Sequence, residues 1–318
     1  MVVTEVKPLI KNEVKDMEKK DIFPIAIGSF GLGASRSESW SDDNSELVID
    51  ENEMNALIYS FNKGQNYIDT SYIYAGGLTM RFIAEFIKRI DRSKLFIAVK
   101  IENYIEKVED IEEQLDKYLN VLGISYADTV LLHTPRASKI PLEDSYRELQ
   151  RLVSIGKSKN ISASNLNIDE LKMIVDDLKI DLFSFEGLYN LECKQNEDVG
   201  IIDYCKKHDI LFFNYQPFRR NRTANHNYPV LVELTKKYNK TQNQILLNYY
   251  VYEKGLHPIT KANKIEHIDL NLDALNFKME KEDYEKLNEF RCKAFDDLEV
   301  DWLDQGGISI YKFANQVE

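Results

Sequence analysis

Seven polar residues close seven short β-branched or aromatic runs: Asp69 after NYI, Lys100 after LFIAV, His133 after DTVLL, Asn165 after ISAS, Glu186 after LFSF, Tyr215 after FFN and Lys261 after HPIT. Polar residues end strands everywhere because loops begin there, and any one of these positions alone signifies no more than that. A lysine closing Leu95 to Val99 and a histidine closing Val130 to Leu132 are less ordinary, since such runs more often end in Gly, Asn or Asp. If the seven converge, they bring amines, an imidazole, carboxylates, an amide and a phenol to one place. That set supports proton transfer. Lys100 as a Schiff-base amine, or Glu186 as the acid/base of a lyase or hydrolase, is an alternative use of the same groups.

Whether they converge depends on the elements that carry them. The runs read as strands, and the segments between them have helical spacing. Residues 107–122 are the clearest, with Ile111, Leu115, Tyr118, Leu119 and Leu122 on one face and Glu112, Glu113, Asp116 and Lys117 on the other. Asn167 and Glu170 have the capping-box spacing for a helix over 168–178, and Gly156 stops a helix that begins near Pro141. The closing positions recur mostly about 30 residues apart, with one gap of roughly 46 before Lys261 that holds two helical stretches, 229–238 and 241–254. A first strand near 22–28 brings the number to eight. The pattern predicts an α/β fold, a (β/α)8 TIM barrel forming one domain over 1–318, with a lead-in (1–21) and a C-terminal extension (291–318) over or beside the barrel mouth. In that fold, strand-closing residues meet at the mouth whatever their separation in sequence. A doubly wound sheet is the alternative, but no GxGxxG follows a strand.

Composition limits the function. The 318 residues carry 41 Lys+Arg against 53 Asp+Glu, a net charge of −12, which argues against a nucleic-acid partner. With 43% apolar and 30% charged residues the chain can bury a core, and it has no apolar run long enough for a membrane helix and no signal-peptide opening. A cytoplasmic protein is expected. Cys193, Cys205 and Cys292 lack a CxxC pair, and His208, His226 and His257 lie in helix-end, loop or strand-start contexts without ligand spacing, so no metal site is indicated.

From Gly28 to Asn271 the sequence resembles the aldo-keto reductases. The DTSYIY segment from Asp69 to Tyr74 is similar to the family's Asp and Tyr five residues apart, Lys100 in IAVK matches its lysine, and His133 in LLHTP its histidine. The resemblance implies carbonyl reduction by hydride transfer from NADP(H). Tyr74 would supply the proton, Lys100 and Asp69 would tune it, and His133 would orient the carbonyl. A tyrosine hydroxyl, with an unperturbed pKa of about 10, is a poor acid near neutrality, and a neighbouring cation corrects that. Tyr72 is the rival for the role, and the family's spacing selects Tyr74.

The resemblance further implies that Ser164, Asn165 and Glu186 meet the nicotinamide carboxamide and that Tyr215 stacks on the ring. The loop opened by Gln216 and Phe218, with Arg219, Arg220 and Arg222, lies where the family covers the diphosphate, although solvated loop charges explain the arginines equally well. Lys261 and Asn263 would reach the adenosine 2′-phosphate, with His267 and Asn271 nearby. The family commonly has Arg at the position of His267 and an acid at that of Leu270, which leaves room for NAD(H). It usually has Gln at the position of Glu186, and a carboxylate there would stabilise the oxidised cofactor and favour alcohol oxidation. Thr79-Met80 replaces a common Ser-Glu pair. Trp40, Tyr104 and Trp302 are candidates to wall the substrate pocket, for an aldehyde, ketone or corresponding alcohol. A monomer is the default, and a cofactor-binding regulatory barrel with little turnover is the second alternative.

Overall fold

The computed structural model describes residues 17–34, 47–102, 105–135 and 138–292. Trp40, Tyr104, Trp302 and nearly all of the C-terminal extension lie outside them. Eight parallel strands close into a barrel in sequence order: β1 (Ala26–Ile27), β2 (Tyr67–Ser71), β3 (Phe96–Ile101), β4 (Ala127–Leu132), β5 (Ser158–Ser164), β6 (Leu182–Leu188), β7 (Leu211–Tyr215) and β8 (His257–Thr260). The first strand is far shorter than the expected 22–28.

The two-residue period of each strand divides its side chains between two environments. Ile68, Ile97, Val99, Ile101, Val130 and Leu132 face outward into the large apolar layer shared with the helices. Tyr67, Phe96, Ala98, Leu131 and Phe213 instead form a separate interior cluster. Within it the Tyr67 ring stacks on Phe213 at 3.9 Å, and Phe96 stacks on Phe183 at 4.4 Å. A hydroxyl chain runs through the barrel as well, Thr129 to Ser162 at 2.7 Å and Ser162 to Ser184 at 2.8 Å. These inward-pointing groups are thus packed apolar side chains or hydroxyls hydrogen-bonded to one another, as a dry interior favours.

The helices follow their sequence signals. Helix Glu109–Leu122 buries all five residues of its predicted apolar face and ends at Gly123 in the left-handed region. Asn167 accepts from the Glu170 amide at 2.8 Å while the Glu170 carboxylate accepts from the Asn167 amide at 2.8 Å. The α-helix they open runs only over Ile168–Lys172 and continues as a π-turn, Met173–Asp177; likewise Gln242–Asn248 passes into a π-turn, Tyr249–Glu253. No described helix is long and apolar enough to cross a membrane.

Candidate active site

Asp69 and Lys100 do not close their strands. Each is followed by at least one further strand residue, and the register sets Asp69 beside Ala98 and Ser71 beside Lys100. Both side chains share the inward face with Tyr67 and Phe96, and one two-residue step from Tyr67 and two from Phe96 lift them above that aromatic layer. Lys100 Nζ lies 2.8 Å from Asp69 Oδ2, 3.1 Å from Tyr74 Oη and 2.7 Å from Glu186 Oε2. All four residues are buried. Burial alone would depress the Lys100 ammonium, but the attraction of Asp69 and Glu186 outweighs it and holds the group well above the ordinary lysine value.

Tyr74 reaches this cluster from the turn after β2, where Ala75, Gly76 and Gly77 all take positive φ. Its ring stands edge-on to Phe30 and His133 at centroid distances of 5.1 and 5.7 Å. The rival Tyr72 goes elsewhere: it stacks on Tyr118 of the neighbouring helix, with Lys117 Nζ 3.8 Å from its ring centre.

Glu186 departs from expectation. It lies inside β6 rather than at its end, and both its oxygens are engaged, Oε2 by Lys100 and Oε1 by the Tyr67 hydroxyl at 3.0 Å. It thereby joins the buried cluster of Asp69, Tyr74 and Lys100. Burial raises its carboxyl above the usual carboxylate range; Lys100 pulls it back and Asp69 pushes it further up.

His133 follows β4 directly, and its amide donates to Ile101 O at 2.8 Å. Its Nδ1 lies 3.3 Å from Glu102 Oε2 and 3.4 Å from Ser71 Oγ, and Ser71 Oγ itself donates to Glu102 Oε1. Neither Ser71 nor Glu102 is singled out by the sequence reading. The signal available is the two-residue period, which carries the inward face one step beyond Asp69 to Ser71 and beyond Lys100 to Glu102.

Asn165 has φ +56 and ties three strands together, its amide nitrogen donating to His133 O at 2.9 Å and its oxygen accepting from Tyr215 Oη at 2.7 Å. Ser164 is buried beside it. In the loop after β7, Gln216, Arg219, Arg220 and Asn221 all take positive φ. Two of the three arginines part company there. Arg219 is buried and paired with the buried Glu192 at 2.8 Å, so it is not a solvated charge. Glu192 also accepts from Thr223 at 2.8 Å and Tyr228 at 2.6 Å, and lies 3.6 Å from His226. Arg220 is exposed, with its guanidinium 5.6 Å over the Phe30 ring that touches Tyr74. Phe218 is half-buried and packs against the cluster of Ile25, Leu247 and Ala274. Beyond β8, Lys261 Nζ donates to Gly31 O at 2.7 Å and lies 3.8 Å from Glu53. Asn263 and His267 are exposed, and Asn271 is half-buried on helix Ile265–Asp273. Thr79 donates to Leu32 O at 3.0 Å and Met80 is in the core, so both are structural here.

The sequence model of the Aldo/keto reductase family matches residues 24–291. The chain belongs to the aldo/keto reductase family. It is 26% identical over 279 residues to the NADPH-dependent alpha-keto amide reductase of Saccharomyces cerevisiae, covering 83% of this chain and 86% of that one. It is also 26% identical over 274 residues to the NAD/NADP-dependent indole-3-acetaldehyde reductase of Schizosaccharomyces pombe, covering 83% and 90%. Among solved structures, a thermostable aldo-keto reductase in complex with the inhibitor epalrestat superposes with a TM-score of 0.76 at 26% identity, covering 84% of this chain and 94% of that one.

For an aldo/keto reductase the nicotinamide cofactor is the group to be accommodated, and one buried atom bears on its fit. Ser29, just past β1, has a fully buried hydroxyl without a hydrogen-bond partner among the described residues, while its amide lies 3.4 Å from Asp69 Oδ1. An orphaned hydroxyl beside an acceptor carboxylate suits a sugar hydroxyl. Arg220 and Lys261, on adjacent loops of an acidic chain, suit phosphates. The residues present fit the group.

Proposed function

We propose that this protein reduces an aldehyde or ketone with NADP(H), or oxidises the corresponding alcohol, with Tyr74 as the general acid/base. The observation that carries the reading is the Lys100 ammonium held within hydrogen-bond reach of the Tyr74 hydroxyl by two buried carboxylates. When bound, the cofactor supplies or accepts the hydride. The chain's part is the proton: Tyr74 Oη gives it to the oxygen of the reduced carbonyl, and the phenolate left behind is stabilised by Lys100. Asp69 aims the ammonium, and His133 contacts the substrate oxygen. Ser29, Ser164, Asn165 and Tyr215 would hold the nicotinamide nucleoside. Arg220, Lys261 and Asn263 would hold the phosphates, with Asn271 toward the adenine. Lys261 favours NADP(H), while the exposed His267 and Leu270 leave NAD(H) admissible. A Schiff-base role for Lys100 is disfavoured because that chemistry needs a neutral amine and both neighbouring carboxylates hold the charged form.

Titration with NADPH and separately with NADH, followed by quenching of intrinsic fluorescence, tests this together with Tyr74→Phe. Nucleotide binding retained in the variant, with aldehyde reduction lost, is the expected result. Failure of either nucleotide to bind the wild type would overturn it.

A further inference from the structure

Glu102 is a buried carboxylate one residue past β3, and the chemistry of Tyr74 and Lys100 does not use it. Its backbone is fixed by a hydrogen bond from its amide to Gln114 Oε1 at 2.9 Å, across to the helix that follows β3. Its side chain has two partners among the described residues, Ser71 through Oε1 and His133 through Oε2. The protons of this triad can be assigned. A carboxylate only accepts, so the Ser71 hydroxyl proton is committed to Glu102 Oε1. Ser71 Oγ then presents lone pairs to His133 Nδ1 at 3.4 Å, while Glu102 Oε2 presents its own at 3.3 Å. Both neighbours of Nδ1 are acceptors, so Nδ1 is the nitrogen that carries the proton.

We propose that Glu102, with Ser71, is a positioning residue that holds neutral His133 in its Nδ1–H tautomer and leaves Nε2 as a bare lone pair for the substrate. This rests on the reading of His133 as the residue that contacts the substrate oxygen. A neutral imidazole of this tautomer accepts a hydrogen bond from an alcohol hydroxyl through Nε2 but donates none to a carbonyl oxygen. Only the imidazolium, with Glu102 as its counter-charge, donates there. Glu102 therefore sets which partner of the redox pair the neutral enzyme binds better, and it favours the alcohol.

The test uses the full chain with 15N-labelled imidazoles, the His133→Gln variant identifying the His133 signals among those of five histidines. In the wild type the neutral ring is expected to be protonated at Nδ1 with an unprotonated Nε2. In Glu102→Ala the proton is expected to move to Nε2, the tautomer an unconstrained imidazole favours in water. Steady-state kinetics supply the second readout: Glu102→Ala raises KM for an alcohol about tenfold, the loss of about one hydrogen bond, and leaves KM for the matching aldehyde unchanged or lower. A wild-type ring protonated at Nε2, an unchanged tautomer in Glu102→Ala, or equal rises in both KM values would overturn the proposal. Absence of NADPH binding would instead defeat the reductase reading, and the imidazole spectra would still decide the tautomer.

Discussion

Replacing Glu186 by Gln removes one of the two negative charges that flank Lys100 while keeping the shape of the side chain. Lys100 Nζ is 2.7 Å from Glu186 Oε2 and 3.1 Å from Tyr74 Oη, so those two oxygens are no more than about 5.8 Å apart. Two unit charges at that distance interact by about 3 kcal/mol at an effective dielectric constant of about 20. Glu186 thus opposes the phenolate that Tyr74 becomes on giving up its proton. In a transition state with the proton half transferred, about half of that energy is felt, or roughly tenfold in rate. Hydride transfer in the reducing direction should speed up roughly tenfold in Glu186→Gln, and the reverse direction should slow by a similar factor. The equilibrium between bound reactants would then shift by about a hundredfold toward alcohol, and NADP⁺ should bind more weakly relative to NADPH. Because the Glu186 carboxyl is raised by burial, opposed by Lys100 and reinforced by Asp69, the effect should grow with pH as the wild-type carboxyl ionises. Single-turnover absorbance of NADPH with an aromatic aldehyde, and of NADP⁺ with its alcohol, at pH 6 and pH 9 measures both directions. Rates that change in the same direction, or that are unaltered at pH 9, would show that the charge on Glu186 does not act on Tyr74.

Glu192→Ala removes the buried carboxylate that pairs with Arg219 and accepts from Thr223 and Tyr228, so a loss of about 3–5 kcal/mol is expected in urea unfolding, with weaker NADPH binding by the loosened loop; an unchanged midpoint would show that the network contributes nothing. Lys261→Met should weaken NADPH about tenfold and NADH hardly at all, because a 2′-phosphate is the group its ammonium would pair with; equal losses for the two nucleotides would place Lys261 elsewhere on the cofactor. Lys194 donates to Leu287 O at 2.6 Å and Asn288 O at 3.0 Å, at the end of the last described helix, and burial, aided by repulsion from Arg291, pushes its ammonium down to about 7. Between about pH 7 and the ordinary lysine value of 10.5 the unfolded chain binds a proton that the folded chain does not, so stability rises with pH across that window relative to Lys194→Met. Parallel denaturation curves for the two proteins at pH 6.5 and 9.5 would contradict this.

The barrel was legible because its repeat is local: each strand announces itself by composition, each helix by its apolar face, and Gly123, Gly156 and the Asn167–Glu170 pair punctuate them. That Asp69, Lys100 and Glu186 meet was legible for the same reason, since this fold brings its strand ends to one mouth. Strand ends were not. Asp69 and Glu186 sit within strands because backbone pairing with β3 and β7 continues past them, and pairing is a property of two segments rather than one. The same limit hid the partners that decide what a charge does. Nothing local in Arg219-Arg220 separates a buried structural guanidinium from an exposed one; Glu192, well upstream in the chain, makes the distinction.

Glu186 and Glu102 extend that point to the chemistry. Each is a carboxylate in a barrel interior, where an ion without a partner is too costly to keep. The partner each finds is one of the groups expected to act on the substrate or on its proton donor, Lys100 for Glu186 and His133 for Glu102. Both substitutions would therefore alter reaction chemistry before they alter the fold: the first by changing the charge felt at Tyr74, the second by changing which nitrogen of His133 holds a proton. On the bound reactants the two effects oppose one another, because a negative charge near the phenolate disfavours the alcohol complex, in which Tyr74 has lost its proton, whereas a bare Nε2 toward the substrate favours the alcohol. If Glu186→Gln moves the equilibrium between bound reactants toward alcohol and Glu102→Ala moves it toward the carbonyl, and by independent factors, the direction of this reductase is set by two opposed buried acids and not by its cofactor alone.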